Sequence, residues 1–142
     1  MFDTNHIHPM IVHFPVAIIT IGFLTNVLSL SSVKFRFLAK TAEFLMVLGT
    51  FAAFAGYFTG EFFTAEMQGA AGEVKENHEL FAKITMFVML AASVIRLYYS
   101  YVKKDEDKFK WLVFGLYGIA MITVGITGYL GGTLVYNYMM PL

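Results

Sequence analysis

Four long apolar runs dominate this sequence, at about Pro9–Leu30, Leu38–Phe58, His78–Tyr101 and Trp111–Tyr136. Each reaches the roughly 20 residues that a helix needs to cross the hydrocarbon core of a bilayer. A backbone in lipid has to satisfy its own hydrogen bonds, so runs of this length fold as helices. The chain is 58% hydrophobic and only 14% charged, a balance that suits lipid better than water as its solvent. The expected fold class is therefore all-α: an integral membrane four-helix bundle in a single domain over residues 1–142. The first run is not expected to be a cleaved signal peptide, because no Lys or Arg precedes it and it is too long.

Charge orients the bundle. Of the ten Lys and Arg residues, eight (Lys34, Arg36, Lys40, Arg96, Lys103, Lys104, Lys108 and Lys110) lie in or beside the first and third connections. Positive residues collect on the cytoplasmic side, so both basic connections are expected there, with the N- and C-termini and the Thr64–Asn77 connection outside. A net charge of zero gives no reason to expect nucleic acid. With no cysteine, thiolate ligands and iron–sulfur clusters are excluded.

The histidines carry the chemical signal. Three of the four (His6, His8 and His13) stand at the start of the first run, and His78 opens the third. Imidazoles at membrane depth are costly unless they are used. Pro9 suits a first helical position. Pro15 lies inside the helix and frees the Ile11 carbonyl, so a bend is expected there. His8 is also suited to cap the helix that Pro9 begins, and His6 to be a solvated tail residue. Glu43 and Arg96, both inside apolar runs, are expected to pair.

An internal repeat connects the two halves. His13-x3-Ala17-x-Ile19-Thr20-x3-Leu24 matches His78-x3-Ala82-x-Ile84-Thr85-x3-Met89, and Gly56-Tyr57-Phe58-Thr59-Gly60 echoes Gly128-Tyr129-Leu130-Gly131-Gly132. Two helical hairpins related by an axis along the membrane normal follow from this. They would set His13 and His78 at equal depth on opposite sides of a cavity.

Haem b fits such a pair, since its iron takes one axial ligand from each face of the ring. Gly56, Gly60, Gly128 and Gly132 would leave room for the ring, and Lys83 or Lys75 could meet a propionate. Close helix packing in lipid is the more ordinary explanation of the same glycines. The rival reading is zinc or copper held by His13, His78 and His8, with His6, Glu61, Glu79 or Met10 as further ligands. A third is a cofactor-free membrane assembly subunit. The serines fall toward the end away from the histidines, which gives hydrolysis little support and leaves an electron-transfer or binding protein favoured over a catalyst.

His8-Pro9-x-x-Val12-His13-Phe14-Pro15 and Gly128-x-x-Gly131-Gly132-x-Leu134-Val135-Tyr136 resemble the opening and closing motifs of domain-of-unknown-function family 2231. That resemblance spans nearly the whole chain. It implies a four-helix protein of the bacterial inner (cytoplasmic) membrane. It also implies redox work, since relatives are similar to modules found beside Rieske or cytochrome c domains. Any redox partner would then be a separate protein or, for assembly, a second copy in a homo-oligomer.

Overall fold

A computed structural model describes residues 7–64, 66–102 and 107–139. His6, Lys103 and Lys104 fall outside the described residues. The helices are α1 (Ile7–Ile11), α2 (His13–Ser31), α3 (Ala39–Phe63), α4 (Gly69–Tyr101) and α5 (Asp107–Tyr138), with a 3₁₀ turn over Val33–Leu38 between α2 and α3. Four spans, counting α1 and α2 as one, are long and apolar enough to cross a membrane. Only 17–28% of the residues in each apolar window lie inside the bundle, so most of the apolar surface faces outward. Phe14, Phe44, Phe51, Phe62 and Ile122 are among the exposed side chains.

The interruption at Val12 has a local cause. Pro15 has no N–H to offer the Ile11 carbonyl, so the ladder breaks there, while the Val12 N–H still reaches the His8 carbonyl at 3.1 Å. His8 therefore lies within the short first helix instead of standing outside it as a cap.

Two boundaries differ from the sequence expectation in ways that matter. Helix α4 begins at Gly69, not His78, so that histidine sits nine residues inside it. Its first turns are polar and leave no hydropathy signal, yet Ala, Glu and Lys are good helix formers. Lys75 and Glu79, one turn apart, pair at 2.7 Å. The turn into the helix uses Gly69 at φ +64°, a conformation that glycine adopts without strain. Helix α3 runs on to Phe63, which brings Thr59 and Gly60 into the helix.

Neighbouring helices form a ring, α2 on α3, α3 on α4, α4 on α5 and α5 on α2, which places α2 diagonally across from α4. The core is Ile19, Met46, Met86, Met89, Tyr117 and small residues such as Ala53, Ala92 and Ala120. Methionine fills the irregular gaps beside those small residues. Hydroxyls in the interior pair with one another: Thr50 Oγ1 with Ser93 Oγ between α3 and α4, and Thr85 Oγ1 with Thr123 Oγ1 between α4 and α5, both at 2.7 Å. Each hydroxyl is thereby satisfied where water is absent. At the end away from the histidines, Arg96 Nε donates to Glu43 Oε2 at 3.0 Å, with both side chains about one-fifth exposed.

The two-hairpin repeat is present, in a different register from the histidine match. Buried positions of α2 and α4 correspond at a separation of 70: Pro15 with Thr85, Ile19 with Met89, Gly22 with Ala92. Those of α3 and α5 correspond at 71: Ala42 with Val113, Met46 with Tyr117, Ala53 with Val124. In that register the counterpart of His78 is His8, and the counterpart of Gly60 is Gly131.

Candidate functional site

At the end of the bundle holding α1 and the start of the apolar part of α4, the helices part around a cavity of about 360 Å³. This is within the range of about 300–1,000 Å³ usual for small-molecule sites. Its walls include Val12, Val16, Tyr57, Phe63, Val124 and Val135, and its polar groups include His8, His78, Lys75 and Glu79.

His8 and His78 face each other from diagonal helices, with ring centres 6.3 Å apart and planes nearly perpendicular at 86°. Each is anchored to the second helix of its own hairpin. His78 Nδ1 lies 2.9 Å from the Thr127 carbonyl oxygen, which can only accept, so Nδ1 carries the hydrogen. His8 Nδ1 lies 3.0 Å from Thr59 Oγ1. The single hydrogen of the Thr59 hydroxyl is shared between the carbonyls of Ala55 and Gly56, which leaves the oxygen to accept from His8. In the neutral rings, both Nε2 atoms are then left as lone-pair acceptors. Such a fixed tautomer, with one ring nitrogen bonded behind and the other bare, is the usual arrangement of a metal-ligating histidine.

A glycine lies beside each imidazole. A Cβ built at Gly60 would stand 3.0 Å from His8 Cε1, and one at Gly131 would stand 3.2 Å from His78 Cε1. Gly56 approaches the Pro15 ring, and Gly128 approaches Val16. Gly132 borders the cavity, but Gly131 is the residue against the histidine.

His13 also borders the cavity, although the residue is exposed and lies off the buried face of α2. Five residues past His8, a regular helix has turned by about 140°, and α2 buries Pro15, Ile19, Gly22 and Ser29 instead. Lys83 is exposed and is not among the residues around the cavity. Lys75 is buried there, held at 2.7 Å by Glu79 and at 3.5 Å by Glu66. Thr59, Thr127 and Gly131 were not expected in the site. The signal that could have found them is the spacing of seven from His8 through Pro15 and Gly22 to Ser29. It runs along small residues and marks the inner face.

Among the described residues, no three His, Cys, Asp or Glu side chains come together to hold a metal ion. The two imidazoles can serve an ion that needs two protein ligands. A tetrahedral zinc site needs three or four.

The chain has no match among curated proteins or among solved structures. A family model described as a predicted membrane protein, DUF2231, matches residues 4–141. That match covers both hairpins and the whole histidine-lined cavity, and on this ground the chain belongs to the DUF2231 family of predicted membrane proteins.

Proposed function

We propose that this protein is a small b-type cytochrome of the bacterial inner membrane, holding one haem through His8 and His78 and passing electrons near the outer face. The observation that carries the reading is the diagonal imidazole pair, each ring hydrogen-bonded through Nδ1, with no hydrogen bond to Nε2 among the described residues. Both rings border the same cavity with their centres 6.3 Å apart, so the two imidazoles would be within reach of one metal ion. Gly60 and Gly131 leave room for the His8 and His78 rings to lie against the backbone, and Gly56, Gly128 and Gly132 also border the cavity. Iron held by two histidines can exchange single electrons with its protein ligands unchanged. The protein's part is to orient the two imidazoles, exclude water with apolar walls, and supply Lys75 as a cation beside the cavity. His8 takes the role that the sequence match would have given His13.

The purified protein is expected to be coloured, with a Soret band and sharp α and β bands in the reduced-minus-oxidised spectrum. A colourless preparation carrying stoichiometric zinc or copper would replace this reading with a metal-binding protein, and one carrying neither would leave an assembly subunit.

The orientation follows from the basic connections, which the reading sets in the cytoplasm. Reporters fused after Leu142 and within the connection near Lys104 are expected to report opposite sides, the first outside. A C-terminal reporter active only in the cytoplasm overturns this.

A further inference from the structure

The histidine cavity opens sideways between α2 and α5. These helices run in opposite directions and touch at Val16, which would stand 3.5 Å from a Cβ built at Gly128. One turn nearer the histidine end they part. A Cβ built at Gly132 meets no atom within 4 Å, although the residue is half-buried and borders the cavity. His13, a turn before Val16, and Tyr136, a turn after Gly132, border the cavity at the same gap and are both exposed, Tyr136 to 87%. The short helix α1 packs chiefly on α3, away from this seam. The seam related to it by the repeat, between α3 and α4, carries side chains at the matching places. At the separation of 71, Tyr57 stands where α5 has Gly128, and Glu61 where it has Gly132. His13 and Gly132 both lie within the apolar spans, so the side opening faces lipid.

The groups at the opening narrow its occupant. The charged side chains among the cavity's described lining residues are Lys75 and Glu79, and these pair with each other at 2.7 Å, so a charged headgroup meets no unengaged counter-ion there. The polar groups at the opening itself are neutral hydrogen-bonding ones, an imidazole and a phenol. Val12 and Val16 give the slot an apolar wall, and Gly132 leaves the opposite side without a side chain. A flat, uncharged ring with oxygen acceptors on its rim and an apolar tail suits each of these features. We propose that this side opening binds the headgroup of a lipid-soluble quinone, with its oxygens toward His13 and Tyr136 and its tail in the bilayer. Tyrosine settles at the level of lipid headgroups, which is where such a ring would lie. A quinone here would be the lipid-side electron partner of the proposed cytochrome. That role rests on the haem reading, whereas the binding does not.

The test uses the full-length protein in neutral-detergent micelles. It measures equilibrium binding of radiolabelled decylubiquinone, corrected for uptake by empty micelles, with a menaquinone bearing a two-isoprenyl tail run in parallel. At least one of the two quinones is expected to bind saturably. Its unlabelled form is expected to displace it, and decylbenzene, which has a ring and tail without the oxygens, is not. Gly132→Leu puts a side chain into the open slot and is expected to abolish binding. Gly115→Leu adds the same side chain to an exposed, open position at the other end of α5 and is expected to leave binding unchanged. His13→Ala, at an exposed position, is expected to weaken binding about tenfold, the loss of one hydrogen bond. Displacement by decylbenzene, equal effects of the two leucine substitutions, absence of saturable binding, or binding that is unchanged in His13→Ala overturns the proposal. If Gly132→Leu does not fold, the His13→Ala and decylbenzene arms decide it. The haem spectrum is read on the same samples. A coloured protein that binds no quinone sinks this proposal alone, and quinone binding by a colourless protein sinks the haem reading alone.

Discussion

If the protein holds haem as proposed, His8→Ala and His78→Ala are each expected to abolish its low-spin spectrum, while His13→Ala leaves it in place. Each of the first two removes one of only two opposed imidazoles, so the iron would keep a single protein bond. His13 stands off the buried face and contributes neither anchor. The two ligands differ in their supports, and that difference gives a finer test. His8 leans on a side chain, Thr59, whereas His78 leans on the backbone carbonyl of Thr127. Thr59→Val is therefore expected to loosen haem binding about 10–100-fold without removing the ligand, whereas Thr127→Val should leave the His78 anchor intact. A colourless His13→Ala variant beside a normal His8→Ala variant would reverse the assignment.

A second large effect is expected at the centre of the bundle. Tyr117 is fully buried, and its hydroxyl is the buried side-chain polar atom without a hydrogen-bond partner among the described residues. It lies against Gly22, where a Cβ would collide with it, and the ring is wedged edge-on against Phe23 with centres 5.7 Å apart. Gly22→Ala is expected to destabilise the protein by about 1–3 kcal/mol, even though alanine is the better helix former by about 1 kcal/mol. Tyr117→Phe removes the unpaired hydroxyl and is expected to stabilise by about 1 kcal/mol. Together the two should recover most of the loss, leaving a coupling energy well above measurement error in a double-mutant cycle. Unfolding in mixed micelles measures all four species. Equal effects of Gly22→Ala in both backgrounds would show that the hydroxyl is not what fills the space.

The spans were legible because lipid imposes a length on apolar runs, and the Glu43–Arg96 pair because charges inside such runs need partners. The start of α4 was not, since Glu73, Lys75 and Glu76 form a helix without any apolar signature. The register of the repeat was harder still. In a water-soluble bundle the apolar face is the inner one, but here both faces are apolar and hydropathy does not separate them. His13 and His78 share an H-x3-A-x-I-T frame, yet Ile19 is buried in the first copy where Thr85 is buried in the second. Small residues settle the matter, because they stand where backbones approach. Pro15, Gly22 and Ser29 continue the line of His8, and Gly60 and Gly131 show where each imidazole lies.

Because each hairpin brings one imidazole already oriented by its own second helix, neither half holds a complete site. Two copies of either hairpin, related by the same axis, would pose the same pair of rings toward each other. Joining the halves in one chain turns that encounter from a bimolecular event into an intramolecular one, at an effective concentration of about millimolar for a short flexible connection. The first hairpin ends at Phe63 and the second begins at Gly69 in α4, the helix that carries the second ring. A ligand spanning the two rings would thus bridge the two hairpins and fasten them together at one end of the bundle.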